Sequence, residues 1–174
     1  MNNDDARSAW LLDLGGGLRA VVGGSHMIEY LRAPQVVEIP LVPIYARGVL
    51  VWRQQWVPLI DLSRLVQESH GSSDESSRDV IVLAYREMPQ SPLRHGALTL
   101  AAAPREIEVR NDLTCDVPIT PAFWGVLAAS CIIYENQPVP ILRVRNIFTQ
   151  EIFAQEVTAS YPVALPDPYP NAHD

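Results

Sequence analysis

Cysteine is scarce: Cys115 and Cys131 are the two in a chain of 174 residues. They form no CxxC pair and no compact group of histidines surrounds them, which removes a structural-zinc pattern. A disulfide and a pair of reduced buried thiols both stay open, the second being the simpler fit to an intracellular protein. No uninterrupted apolar run reaches bilayer-spanning length, and the opening "MNNDDARSAW" lacks the basic region and apolar core of a secretory signal. These absences predict a cytoplasmic chain with no direct membrane insertion. Positive charge is also short: 13 basic residues against 20 acidic give a formal charge of -7. That balance disfavours general nucleic-acid binding, which draws on phosphate neutralisation. The glycine run Gly15 to Gly17 is followed by no GK[ST], so it is not a phosphate loop.

What is present is apolar and proline-rich: 48% hydrophobic residues and 15 prolines. The first figure is too high for global disorder, the second too high for a helical bundle. The length suits one domain, or two small subdomains sharing a core. Residues 1–8 read as an N-terminal arm, 9–153 as a single domain, "QESHGSSDESSRD" at about 67–79 as a polar linker, and 154–174 as a Pro-rich tail. "WLLDLGGGLRAVVGG" predicts two short strands around a glycine turn. "HMIEYLRA" reads as a short helix or an irregular edge segment, and Pro34, Pro40 and Pro43 exclude a long helix after it. "RGVLVWRQQWVPLIDLSRLV" predicts strand Gly48 to Trp52, turn Arg53 to Gln55, strand Trp56 to Ile60, and a short helical turn capped by Asp61 or Ser63. "VIVLAY" and "GALTLAAAPREIEV" resume the sheet pattern.

The hairpin phrase then returns. "WGVLAASCIIYENQPVPILRVRNIF" repeats Gly48-Val49-Leu50 as Gly125-Val126-Leu127, places a polar turn near Glu135 to Gln137, and repeats Val57-Pro58 as Val139-Pro140. Both copies end in an apolar pattern fit for a helical turn. The repetition predicts an internal duplication, all-β, with two small barrels packed together.

In "LDLGGGLRAVVGGSHMIEYLRAPQVVEIP", "ARGVLVWRQQWVPLIDLSRLV" and "FWGVLAASCIIYENQPVPILRVRNIF", the chain resembles the CheW-like family, the adaptors of bacterial chemosensory arrays, over about residues 10–150. The resemblance implies two packed five-stranded SH3-like β-barrels with short helical segments and no catalytic chemistry. It implies coupling of the cytoplasmic tip of methyl-accepting chemoreceptors to the regulatory domain of a CheA-type histidine kinase, and contact with other CheW-like proteins. Related adaptors serve flagellar chemotaxis and the type IV pilus of twitching motility. Carried over by position, Arg53 falls at the receptor-contacting turn, and Glu29 in "MIEYL" falls in the kinase-docking segment. Met27 to Leu31, including Tyr30 and Leu31, would then form an apolar edge with Ile39 nearby. Gly48 would allow close strand packing, Trp52 and Trp56 would fix the strands, and Pro58 and Asp61 belong to the family's P-x-x-D-L phrase, Asp61 as a cap. This chain departs at Arg53-Gln54, where arginine-glycine is usual, at Ala101, and at Leu142-Arg143-Val144. It reads as a divergent or accessory member.

Two other classes compete. The four histidines lie on dissimilar segments, Cys115 has no base near it in sequence, and Ser63 is explained by a helix start. No enzyme activity, cofactor or metal is therefore expected. A β-rich protein-interaction module outside chemosensory signalling is the alternative reading.

Overall fold

Alternating apolar positions buried on both faces of the strands organise the molecule, seen in a computed structural model that describes residues 6–66 and 79–149. The strands are β1 (Arg7–Gly15), β2 (Leu18–Gly23), β3 (Met27–Leu31), β4 (Val36–Val37), β5 (Ala46–Trp52) and β6 (Gln55–Ile60), then β7 (Asp79–Tyr85), β8 (Arg94–Leu100), β9 (Arg105–Val109), β10 (Thr114–Cys115), β11 (Ala128–Tyr134) and β12 (Gln137–Leu142). Short helices α1 (Trp124–Leu127) and α2 (Val144–Phe148) join three 3-10 turns. The linker residues 67–78, arm residues 1–5 and tail 154–174 lie outside the described residues.

Two six-stranded sheets result, in the orders β10-β11-β12-β2-β1-β9 and β4-β5-β6-β8-β7-β3. Each holds five strands of five to nine residues and one of two residues, where the sequence suggested five per barrel. Exchanging each strand of the first half with the strand numbered six higher converts one order into the other. The duplication is therefore real, and it is exchanged: β1 and β2 complete the sheet built from the second half, while β7 and β8 complete the sheet built from the first. The seams are matching parallel pairings, Leu59 with Ala97 and Ile141 with Val21.

The structure corrects three expectations. The arm ends sooner than residue 8, because Arg7 and Ser8 already pair with Val109 and Glu108 of β9. "HMIEYLRA" is not a helix: after a 3-10 turn at Gly24–His26 it is edge strand β3, held by antiparallel pairing to β7 with a register shift between Met27 and Glu29. Gly125-Val126-Leu127 is not the counterpart of Gly48-Val49-Leu50. It lies in α1, where Trp124 and Leu127, three residues apart, both reach the core. The true register runs Ala46 to Ala128 and Ile60 to Leu142, a constant interval of 82 residues. It matches even the irregularities, between Ala46 and Gly48 and between Ala128 and Ser130.

Strand alternation divides the core in three. Val80 and Val82 of β7 join Leu50, Trp52, Val57, Leu59 and Ala97 inside one sheet. Ala9 and Leu11 of β1 join Val21, Ile107, Ile132 and Val139 inside the other. The intervening residues, Leu12, Leu14, Ile81 and Leu83, face a shared cluster between the sheets with Tyr45, Leu98, Leu127 and Ile147. Burial of each large aliphatic contributes about 1.5–3 kcal/mol, so this shared layer couples the two units strongly.

Candidate protein-binding site

The hairpin β5–β6 closes on two residues, Arg53 and Gln54, between the paired Trp52 and Gln55. Their φ angles, 46° and 63°, are both left-handed, as the two-residue turn that matches strand twist requires. Gln54 thus holds a left-handed backbone that glycine would adopt freely, at a cost of about 1 kcal/mol.

This turn brings three separated residues together. The Trp52 indole Nε1 donates to Glu29 Oε2 at 2.9 Å, and the Arg53 guanidinium donates to the same oxygen at 3.1 Å. Arg53 also lies over the Trp52 ring, its Cζ 4.5 Å from the centroid. Beneath, the His95 ring sits 4.8 Å from that of Trp52. Burial, then the charge of Arg53, holds the His95 imidazole below its ordinary 6.5. Trp52 is 6% exposed, while the side chains of Glu29 and Arg53 are 38% and 66% exposed. The cluster has a fixed base and an open top.

The second unit repeats it with reversed charge. The row Leu59–Ala97–Val82–Glu29 corresponds to Ile141–Val21–Leu11–Arg105. Arg105 therefore stands where Glu29 stands, and Glu135, at the second hairpin turn, stands where Arg53 stands. They pair at 3.5 Å, with Arg105 over the Tyr134 ring at 5.9 Å. Glu135 also accepts from Arg19 at 2.8 Å. The Arg19 hydrogen bond, aided by the charges of Arg105 and Arg19 against some desolvation, holds its carboxyl below the ordinary range.

The other expected residues are dispersed. Met27 and Tyr30 pack on the shared core and Leu31 on the core of its own sheet. The Tyr30 hydroxyl donates to Asp79, which also accepts from the Ala33 N–H at 3.3 Å. Strand β3 is thus an edge strand: Met27, Tyr30 and Leu31 are half-buried against the cores, and Ile28 is exposed. Ile39 belongs instead to the exposed run Val37, Ile39, Leu41, Val42 and Ile44, which leads from the end of β4 toward β5. Trp56, expected with Trp52 to fix the hairpin strands, is 66% exposed. It pairs across the hairpin with exposed Val51, on the strand face opposite Val57. Single exposed apolar residues are ordinary, but a run of this size is the kind of patch that interaction surfaces use. Its signal in the sequence was "VVEIPLVPI", apolar without strand or helix periodicity.

Three residues shape the hairpin. Gly48 has φ 137°, and a Cβ there would sit 2.2 Å from the Val37 carbonyl oxygen of β4. Pro58 precedes the parallel pairing to β8 that starts at Leu59, where a missing N–H costs little. Buried Asp61 caps the 3-10 turn Leu62–Leu65, accepting from the Ser63 N–H at 3.2 Å and the Ser63 hydroxyl at 2.5 Å. Arg47 and Arg64 lie within 3.8 Å and 3.6 Å of its carboxylate.

Among the described residues no three His, Cys, Asp or Glu side chains converge on a metal position, and no helix is long and apolar enough to cross a membrane. No curated protein matches the chain. Among solved structures it is similar to the scaffolding protein TtCheW from Thermoanaerobacter tengcongensis, with TM-score 0.61 and 15% identity over 79% of this chain and 88% of that one. That likeness concerns the fold. The family profile of the CheW-like domain matches residues 9–151, most of the chain. The chain belongs to the CheW-like domain family.

Proposed function

We propose that the chain is a non-catalytic adaptor that couples the cytoplasmic tip of a methyl-accepting chemoreceptor to the regulatory domain of a CheA-type histidine kinase. Family membership supports the adaptor role, and the similar TtCheW is itself a scaffolding protein. The observation that carries the reading is the Glu29–Trp52–Arg53 cluster, half open to solvent at a turn that also displays Trp56. A guanidinium held in place by an ion pair and an aromatic face keeps donors free for a carboxylate or carbonyl on a helical receptor tip. The exposed apolar residues Val37, Ile39, Leu41, Val42 and Ile44 supply further area for a protein partner. The adaptor works in the cytoplasm and is recruited to receptor arrays.

Because Glu29 and Arg53 share a bond, the docking contacts of kinase and receptor converge on one surface. The test measures both partners separately: titration against the kinase regulatory domain, and co-sedimentation with receptor-containing membranes. Arg53→Ala is expected to reduce co-sedimentation while the protein stays folded. Unchanged binding to both partners by Arg53→Ala removes this surface from the function. Recovery of an unrelated partner at matching abundance, with no kinase-domain binding, favours a β-rich interaction module outside chemotaxis. The recovered receptor also distinguishes a flagellar from a type IV pilus, twitching-motility pathway.

A further inference from the structure

The pairing of β10 with β11 sets Cys115 directly opposite Cys131. The sulfurs are 2.8 Å apart, the Cys115 thiol donating to Cys131, and both are free. Opposed residues on antiparallel strands have Cα atoms about 4.5–5.5 Å apart, within the roughly 4.4–6.8 Å that a disulfide spans. Linking them therefore demands no backbone rearrangement. Access is unequal: Cys131 is fully buried and Cys115 half-buried.

The fold does not need thiols here. By the 82-residue interval Cys131 matches Val49, and the partner of Val49 on β4 is Val37. An apolar pair fills this ladder position in the first unit. In the second, the chain's only two cysteines meet.

We propose that Cys115 and Cys131 form a reversible dithiol–disulfide site, oxidised by a low-molecular-weight disulfide, that links edge strand β10 to β11. The Cys115 thiolate attacks one sulfur of the small disulfide RSSR, forming a mixed disulfide and expelling the first thiolate RS⁻. Cys131 then attacks the Cys115 sulfur and expels the second. Each RS⁻ takes the proton that a protein thiol gave up, so the dithiol is oxidised by two electrons and RSSR is reduced to two RSH. The order follows from the surroundings. Burial, then the hydrogen bond and charge of Cys115, push the Cys131 thiol up to about 12. Cys131 is thus a poor first nucleophile at neutral pH. Once Cys115 is in the mixed disulfide, its hydrogen bond and charge no longer oppose Cys131 ionisation.

The new bond closes the segment between β10 and β11. Pro118, Thr120, Pro121 and Trp124 of that segment form one wall of a cleft of about 230 Å³, with Pro138 and Pro140 on another. Oxidation restrains that wall.

The experiment incubates the reduced, purified full chain with oxidised glutathione and follows intact mass, thiol content and thermal unfolding. Wild type is expected to lose two hydrogens, keep no glutathione, and unfold roughly 5 °C higher, reversibly on reduction. Cys131→Val stops at a stable glutathione adduct on Cys115, and Cys115→Val stays unmodified. The double variant Cys115→Val/Cys131→Val copies the Val37–Val49 pair, folds, and shows no oxidant-dependent shift. Wild type that retains both thiols, accumulates the adduct, or links between chains overturns the proposal.

Discussion

Glu29 and Arg53 form a 3.1 Å ion pair across the end of one sheet, and the duplicated unit holds the same pair inverted, Arg105 with Glu135 at 3.5 Å. Charge sign was free to change while the connection stayed. In both units the arginine also covers the aromatic residue ending the hairpin strand, Trp52 or Tyr134. The pair recurs in both halves with opposite polarity, and the first adds the Trp52 N–H bond where the second adds Arg19.

That inversion can be tested by exchanging the charges. Glu29→Arg places two guanidiniums together and strands the Trp52 N–H, so it is expected to destabilise by about 1–2 kcal/mol in urea unfolding. Glu29→Arg/Arg53→Glu imitates the second unit and should recover most of that loss. Partner binding should not recover, because the partner meets the wrong sign. A double variant as unstable as the single one shows that the inverted arrangement is not interchangeable.

The hairpins and most strands were legible because their evidence is local: alternating apolar residues around a polar turn. Strand β3 was not. "MIEYL" carries mixed polarity, and its partner Val82 lies far along the chain from Glu29. Glu29 and Arg53 were both identified, yet as contacts for different partners. Their bond depends on the fold bringing β3 to a turn 24 residues away. Letter similarity misled at Gly125-Val126-Leu127, where the burial of Trp124 and Leu127 favours a helical turn over an extended strand. Of the exposed run from Val37 to Ile44 the sequence singled out Ile39 alone, because apolar residues without periodicity gave no element to assign.

Gly48 faces two independent prohibitions, its φ of 137° and the Val37 carbonyl oxygen 2.2 Å from a Cβ position. Gly48→Ala must either push β4 away or abandon the bulge, and is expected to cost about 3 kcal/mol or more. Its counterpart Ser130 already bears a side chain at the matching irregularity. Ser130→Ala should stay within about 0.5 kcal/mol. Chemical denaturation of both variants decides it; a mild Gly48→Ala shows that β4 yields easily.

Gln54 at φ 63° and Asn136 at φ 62° occupy equivalent turn positions. Asparagine tolerates this region better than glutamine, since its short side chain bonds locally to the backbone. Gln54→Gly should therefore raise stability by about 0.5–1 kcal/mol, and Asn136→Gly by less. Equal gains in urea unfolding would mean that side-chain identity at the turn does not matter.

His95 gives the fold a pH dependence near neutrality. Burial is the larger cause of its lowered proton affinity and the Arg53 charge the second. Because the folded imidazole binds its proton more weakly than the unfolded one, the unfolded chain gains protons first as pH falls. The contribution is therefore present above the unfolded value of 6.5 and lost as pH drops below it. Glu135 is depressed from 4.5, so its loss belongs to a lower window. Urea midpoints measured between about pH 8 and pH 5.5 should fall for wild type. His95→Gln should remove much of that slope. Arg53→Ala should flatten it only in part, since burial against Trp52 remains. A slope unchanged in His95→Gln assigns the titration to another group.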